Sequence, residues 1–535
     1  MRSMRRLVVV VTILSLACGR EKPQAPPEPT STARPALGSG RLVRRLEGDV
    51  KTLNYLLQQT EDERQVLSLL YDPLIELDQD LTPVPGVAAR WDVLDEGKTY
   101  ILHLDPRANF SDGTPLRASD VVFTLNKIFD AHSVQFAPWF GGLDRKQTKA
   151  VDARTVRVAF DEPHAGRVYA FNIGVMPEHV YRKENFATTT RVVGNGPYLL
   201  KERGRDGSLL LIRRENYWRE KPAIGAVRFR PIPENAVAWR ALQRGDVDVT
   251  RVDNDTWFHV ANDPAVRQSV VFHSVWQLGY NCIVWNLADS LLRDLRVRRA
   301  LAMAFDRETI INQVYHGQAR AVTGPFTSDQ QENDPDVLPI AFNLSAARAL
   351  LNSAGWHDSD GDGVLDRNGA RFEFTLLILA GSAASRDQAQ VFQNALHGIG
   401  VQLHIKGLDE AAFYDLVLQR NYQGAFLSWV NEPDPDPLEL FHSKQIGDGM
   451  NVTGYASTEA DQLMDSANRE LDTERRIALY RRLHQVLARD QPYLWTVQVA
   501  QKWAVHRRVQ NVKVAKGYGL FHWYPDSRAW WLSVN

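Results

Sequence analysis

A chain of 535 residues exceeds the size at which a single hydrophobic core stops growing, so two or three domains are expected. Its composition, 44 % hydrophobic and 24 % charged, is that of an ordinary globular protein. A net charge of -1 leaves no basic excess to neutralise phosphates, which argues against nucleic acid as the main partner.

The N-terminus carries Arg2, Arg5 and Arg6, then an apolar run from Leu7 to Ala17, then Cys18. A basic start, a greasy middle and small residues before the cysteine have the shape of a signal peptide. The run is about 11 residues long where a bilayer span needs roughly 20, so it is too short to persist as a transmembrane helix. It also resembles a bacterial lipoprotein signal, cut before Cys18 and acylated there. Ser15 stands where such signals usually carry Leu, so an ordinary cleaved signal and a plain apolar N-terminus stay open beside it. Acylation of Cys18 would leave Cys282 without an intramolecular partner, and the fold then owes nothing to disulfides. Residues 19–40 hold five prolines with Ser, Thr and Gly, a tether that in polyproline form reaches about 70 Å. No later segment is apolar for long enough to span a membrane.

Globular texture begins at Leu53. "TYILHLD" alternates Tyr100, Leu102 and Leu104 on one face and predicts a half-buried strand. "FSDGTPLRASDVVFTLNKIF" predicts a turn at Ser111 to Gly113, then a helix with Val121, Leu125, Ile128 and Phe129 on its apolar stripe. Further strands are predicted at 155–160 and within 209–230, and "AWRALQRGDVDV" predicts a helix closed by Gly245 ahead of a short strand. In the middle of the chain Val297, Leu301 and Ala304 share a helix face. Asp306 is placed to cap a second helix bearing Ile310, Ile311 and Val314, closed by Gly317. Two later helices have expected caps at Thr458 and Asp472, the second with the stripe Ile477, Tyr480, Leu483, Leu487. Strands and helices mix throughout with no visible repeat, which makes α/β or α+β the expected class.

Four local patterns invite chemistry. In "DSDGDGVLDRNG", Asp358, Asp360, Asp362 and Asp366 sit at calcium-loop spacing around Gly363. The closing position is Gly369 instead of a carboxylate, and the same residues suit a tight connection, which is the favoured reading. "EGKT" lacks the phosphate-loop glycine, because Asp92 stands five positions before Gly97. The cluster Arg296, Arg298, Arg299 reads as a solvated helix face with one arginine bracing a domain edge. In "LSWVNEPDPDPLELFHS" the acids Glu432, Asp434 and Asp436 alternate with prolines straight after an apolar run ending in Trp429, which places them on a stiff loop at a strand end. No nucleophile elbow or zinc-type histidine pair occurs, and a hydrolase whose groups meet only in space stays a minor alternative.

Nine stretches, in order, carry a resemblance: "LYDPLIELDQDLTPVPGVAARWDV", "FSDGTPLRASDVVFTL", "GNGPYLL", "ENYWREKPAIGAVRF", "RGDVDV", "NLADSLLRDLRVRRALAMAFDRETIINQVYHG", "AARALLNSAGW", "DSDGDGVLDRNG" and "PDPDPLELFHS". Together they resemble extracellular solute-binding protein family 5, the dipeptide- and oligopeptide-binding proteins of ABC importers, over nearly everything from about 41 to 535. Two positions depart from the family pattern: Arg117 where a capping Thr is usual, and Asn195 where Thr is usual.

The resemblance implies an α/β, two-lobed periplasmic-binding-protein-like fold of type II with a hinge and an extra domain. Lobe I would comprise 41–76, 193–288 and 502–535, the extra domain 77–192, and lobe II 289–501. It implies a peptide-like solute enclosed between lobes, delivery to an ABC permease that hydrolyses the ATP, no cofactor, no catalysis and a monomer. It also implies residence outside the cytoplasm, held to the membrane by the lipid at Cys18. In peptide-binding members an aspartate of the loop matching "NEPDPDP" pairs with the peptide's amino group, beside a tryptophan that lines the pocket. Trp429 matches directly. The Pro-Asp-Pro pattern favours Asp434 for the acid, with Glu432, found by counting from Trp429, second. Trp139 and Trp495 are chosen from position as further aromatic walls, core packing being their alternative. A nickel chelate, haem, an opine or an oligosaccharide are the other cargoes such a scaffold carries.

Overall fold

The computed structural model describes Gly38 and residues 40–133, 135–184, 188–447, 449–518, 521–523 and 526–533. The leader, Cys18 and most of the 19–40 tether lie outside the described residues. Among the described residues no helix is long and apolar enough to cross a membrane.

Three sheets organise the chain. The first has eight strands, ordered Val270–Trp276, Val497–His506, Val249–Arg251, Arg41–Leu46, Ala226–Pro231, Leu209–Arg213, Tyr198–Arg203, with Ala319–Ala321 attached to 497–506. Arg41–Leu46 runs parallel to both of its neighbours, and the other pairings are antiparallel. The second sheet is ordered Gln402–Leu408, Glu373–Leu379, Gly424–Val430, Gly279–Trp285, Tyr493–Trp495. Period-two alternation splits its side chains between two cores: Ile283 and Trp285 join one, Tyr280, Cys282 and Val284 the other. The third sheet, Ala88–Leu94, Thr99–Leu104, Thr155–Ala159 and Lys149–Ala150, is antiparallel, and the helix Ala118–Asp130 contacts it. Its core is continuous with that of the first sheet, from Leu42 through Tyr100 and Val121 to Trp530.

Two strand connections join the first and second sheets. Val270–Trp276 passes through Gln277 and Leu278 into Gly279–Trp285, and Tyr493–Trp495 passes through Thr496 into Val497–His506. Side chains tie the crossing points together: Gln498 Nε2 donates to Gln277 O at 2.7 Å and Thr496 Oγ1 to Asn281 O at 2.8 Å. The sheets therefore exchange strands earlier than the expected boundaries at 288 and 501, and Ala319–Ala321 pairs with the first sheet from within the stretch expected to be lobe II. Backbone pairing decides which sheet a strand joins, and no change of composition marks those points.

Several predicted elements appear where their periodicity put them. Tyr100, Leu102, Leu104, Val121, Leu125 and Ile128 are all buried, with Phe129 packed against the same core. At the helix start Asp120 Oδ2 accepts from Arg117 N at 2.8 Å, so this half of a capping box persists without the usual Thr. Asp306 and Asp472 cap as expected, accepting from Thr309 N and Arg475 N. The segment after Asp306 is irregular: a short helix Arg307–Thr309 runs into a π-type turn Ile310–Val314. The cap ahead of 458 is Ser457, whose hydroxyl accepts from Ala460 N, and Thr458 is the first helical residue. Arg298 is the bracing arginine, donating to the carbonyls of Leu292, Arg293, Asp490 and Gln491, while Arg296 and Arg299 are exposed.

The first sheet is closed by Asp248 of "RGDVDV". It is fully buried, accepts from Val43 N at 2.8 Å, and holds Arg508 by two contacts of 2.6 and 2.9 Å. Asp248→Ala strips a buried backbone donor and a guanidinium of their acceptor together. It is expected to lower unfolding stability by roughly 3 kcal/mol, the low end for a broken buried pair because Arg508 is partly solvated, as read by urea denaturation.

Candidate functional site

The chain leaves the helix Glu61–Leu70 and enters the site region at Asp72, a fully buried carboxylate. Asp72 Oδ2 accepts from Tyr217 OH at 2.8 Å and Trp218 Nε1 at 2.9 Å, and Arg528 approaches Oδ1 at 3.4 Å. Asn195 pairs with the backbone of the same residue, accepting from Asp72 N at 3.1 Å and donating to Asp72 O at 3.0 Å. A side-chain amide here imitates a strand partner, with its acceptor and its donor on separate atoms. The flanking glycines allow the approach, since a Cβ on Gly194 would lie 1.9 Å from Leu70 O. Three of the nine stretches thus converge on one carboxylate and fix the wall formed by Tyr71, Pro73, Glu76 and Leu77.

That wall borders a cavity of about 430 Å³, within the usual range for small-molecule pockets of roughly 300–1,000 Å³. Gln135, Phe136, Trp139 and Asn172 of the extra domain face it, and so do Gln277 at a strand connection, Gln501 of the first sheet, Val430 at the end of a second-sheet strand and Glu432 of the loop after it. The helix Glu61–Leu70 contributes Glu61, Arg64, Gln65 and Ser68, the i, i+3, i+4, i+7 face opposite the buried Val66, Leu67, Leu69 and Leu70. Its start is a capping box in which Glu63 N donates to Thr60 Oγ1 and Thr60 N to Glu63 Oε2, each at 3.2 Å. Burial would raise the Glu63 pKa, but four backbone N–H donors, from Lys51, Thr52, Gln59 and Thr60, bring it below the ordinary value. Glu61 lies above its ordinary value through burial, with Arg251 pulling the other way. Burial lowers the Arg44 guanidinium to about 10.

A second cavity, about 560 Å³, lies across the acidic loop. Val430 and Glu432 face the first cavity, Pro433 and Asp434 the second. A small apolar cluster stands between the two: Leu77 lines the first, whereas Leu81, Tyr169 and Leu278 line the second. The loop is docked on the extra domain. Asp434, 8 % exposed, pairs with Arg476 at 2.6 Å and presses on Gly166, where a Cβ would lie 2.0 Å from its Oδ2. Asp436 meets His164 at 3.2 Å and Asn468 at 3.0 Å, and Ala165 N donates to Asn468 O at 3.0 Å. Burial pushes the Asp434 carboxyl up to about 6 against the pull of Arg476.

The five residues expected to touch solute divide accordingly. Glu432 and Trp139 line the first cavity, Trp139 edge-on to Phe136 with ring centres 5.7 Å apart. Asp434 lines the second and is engaged by Arg476. Trp429 is half-buried on the lobe core formed by Tyr280, Cys282 and Leu427, and Trp495 is a core residue at 2 % exposure, packed against Tyr493 and Tyr280; neither borders either cavity. Strand direction explains Trp429, because its neighbour Val430 takes the cavity side. Sequence reading missed Arg44, the helix face 61, 64, 65, 68 and the segment 526–528. The pattern Thr60-x-x-Glu63 with polar residues at helical spacing was a readable signal for the helix; nothing local marked the C-terminal segment.

In the aspartate-rich loop, Asp358, Asp360 and Asp362 place carboxylate oxygens within 4.8 Å of one another. Each is used by the loop: Asp358 accepts from Gly361 N and Gly363 N, Asp360 from Asp362 N, Asp362 from Val364 N and Arg371, and Asp366 from Ser359. The flanks are a helix and a hairpin, Leu344–Ser353 and Asp366–Arg367 with Ala370–Arg371, which is the geometry of a tight connection.

Two lobes joined by paired strands, with a partly charged cavity walled from both sides, define a solute-binding protein. The family model "Bacterial extracellular solute-binding proteins, family 5 Middle" matches residues 82–450, well over half of the chain, and the chain belongs to that family. The oligopeptide-binding protein AppA of Bacillus subtilis is 27 % identical, with 99 % of this chain and 98 % of that protein covered. The solved structure of AppA from Bacillus subtilis in complex with a nonapeptide is similar at a TM-score of 0.74 and 26 % identity, covering 92 % of this chain and 99 % of that one. The ABC transporter substrate-binding protein CtaP of Listeria monocytogenes has the same fold at a TM-score of 0.81 and 23 % identity, covering 93 % and 100 %.

The Asp434 carboxyl sets a pH dependence with a definite sign. Its folded pKa, about 6, lies above its ordinary 3.8, so the stability gained by keeping the proton is full below about pH 4 and is lost as pH rises through 6. The stability of the wild type relative to Asp434→Asn, read from denaturation midpoints of both proteins across this window, is expected to fall as pH rises from about 4 through 6.

Proposed function

We propose that the chain is the substrate-binding component of an ABC importer, closing its lobes around a peptide-like solute and presenting the closed form to a membrane permease. The observation that carries this reading is the first cavity, whose walls come at once from the first sheet, the extra domain and the loop beyond the second sheet, with the strand connection at Gln277 at its edge. Similarity to an oligopeptide-binding protein along almost the whole chain supports peptides as the cargo class. The work is recognition without a covalent step, and the energy of transport belongs to the partner. The protein acts outside the cytoplasm as a monomer, tethered through a lipid on Cys18, a reading supported by the leader and the proline-rich stretch.

A solute that touches both lobes binds the closed form better than the open form and shifts the population toward it. Glu432 takes the role of counter-charge to the solute's ammonium group, because it lies in the cavity wall on a proline-stiffened loop. A desolvated ammonium without such a partner is expensive to bury. Asp434, held by Arg476 of its own lobe, packs the same loop against Gly166 of the extra domain and acts on closure instead of on the solute. Trp139 supplies an apolar wall that accommodates varied side chains.

Incubation with a peptide library followed by native mass spectrometry is expected to recover intact peptides, with small-angle scattering showing a more compact particle on binding. Cleavage products, or unchanged compactness with every retained peptide, would count against the reading. Glu432→Gln is expected to weaken peptides with a free amino terminus by about tenfold or more in calorimetry while changing their N-acetylated forms little.

A further inference from the structure

The charges around the first cavity are unevenly partnered. Three of its carboxylates, Glu61, Glu76 and Asp526, each meet an arginine: Arg251 at 3.3 Å for Glu61, Arg219 at 2.6 Å for Glu76, and Arg528 at 2.9 Å for both Glu76 and Asp526. Two of its arginines have no such contact. Arg44, 7 % exposed, donates Nη2 to Gln65 Oε1 at 2.9 Å, and Arg64 donates Nη1 to Gln135 Oε1 at 3.2 Å. Among the described residues neither guanidinium has a carboxylate within 4.0 Å. Arg44 is also steadied by aromatic rings, with its guanidinium carbon 5.5 Å from the centre of Phe229 and 6.0 Å from that of Trp530.

A glutamine oxygen orients a guanidinium but carries no charge to neutralise it. The guanidinium has five N–H donors in a planar fork, and a single neutral acceptor leaves most of that fork for a guest. Asp526 and Glu61 act on Arg44 from a distance, but each is already in contact with another arginine, and once the cleft shuts out the remaining water a cation with no carboxylate in contact is costly. Arg44 lies on the strand Arg41–Leu46, Arg64 on the helix Glu61–Leu70, and Gln135 in the extra domain, so rigid elements hold both heads at one wall.

We infer that Arg44 and Arg64 form an anion subsite that pairs with a carboxylate of the solute, so that the cargo is a carboxylate-bearing molecule, peptidic on the reading given above. The carboxylate comes from a free C-terminus or from an acidic side chain; both offer the planar acceptor that a guanidinium fork matches. With Glu432 on the opposite lobe, a zwitterionic solute has its cationic end met by one lobe and its anionic end by the other. Neither half-site is complete until the lobes close, which gives the guest its preference for the closed form.

Calorimetry on the full chain tests this with four probes: short alanine peptides with free carboxyl termini, the same peptides amidated, amidated peptides carrying one glutamate, and small non-peptide dicarboxylates. The wild type is expected to bind a carboxylate form about tenfold or more tighter than the plain amide. Recovery by the free terminus or by the glutamate identifies the source of the anion. Arg44→Gln and Arg64→Gln are each expected to reduce that preference to about threefold or less, with Arg44→Lys restoring part of it. Should Arg44→Gln melt early or fail to fold, Arg64→Gln, at a half-buried position, decides. Equal binding of free-acid and plain amide peptides together with no gain from glutamate, or a preference that survives both variants, would overturn the subsite and leave the peptide reading standing. Dicarboxylates that bind through Arg44 while every peptide fails would do the reverse, and failure of every carboxylate probe would overturn the subsite.

Discussion

Much of this molecule is organised around one buried carboxylate. Asp72 lies where water does not reach, where burial raises its pKa against the pull of Arg528 and Arg219, and a carboxyl group in that position must be met from several sides or it destabilises the fold. The chain meets it with a phenol, an indole N–H, a guanidinium and an amide that closes on its backbone, drawn from three separate stretches. Satisfying Asp72 brings 193–198, 214–219 and the C-terminal segment to the end of the helix Glu61–Leu70. That convergence makes the wall of the first cavity a rigid surface instead of a meeting of loops.

The opposite wall is the proline-punctuated loop after Val430. Prolines deny it regular structure and restrict its backbone, so successive acids face different ways. Glu432 goes to one cavity, Asp434 to the other, and Asp436 to a histidine of the extra domain. A short stretch thereby combines a surface for a guest with a clasp between lobe and extra domain. The clasp is polar and small, and polar contacts of this kind exchange with water at modest cost, which suits a joint that must open again.

Two strands cross between the sheets, and their pairing with neighbours on both sides leaves Gln277, Leu278 and Thr496 as the short links. Hinge movement in packed proteins is absorbed by a few such positions while the cores on either side stay intact. The cores here are separately closed, one spanning the first sheet and extra domain and two sandwiching the second sheet. A guest therefore need not deform a core to change the shape of the whole; it has only to favour one arrangement of the two bodies.

Periodicity and capping were enough to locate elements whose information is local: the strand Thr99–Leu104, the helix Ala118–Asp130 and the caps at Asp306 and Asp472 follow from residues within a few positions of each other. The ordered series of short stretches was likewise enough for the family, because each stretch serves a scaffold contact such as those on Asp72 or Asp248. Which acid of 432–436 faces a guest was not legible, since proline breaks the alternation that would have assigned each side chain to a face. Trp495 was indistinguishable from a pocket wall until its strand was seen between two cores, and Arg44, Arg64 and Arg528 gain their meaning only from partners far away in the chain. Sequence by itself determined the elements, the family and the class of work, because those depend on local chemistry repeated in order. The tertiary structure alone decided which charges are already paired and which still await a partner, because pairing is a matter of distance in space.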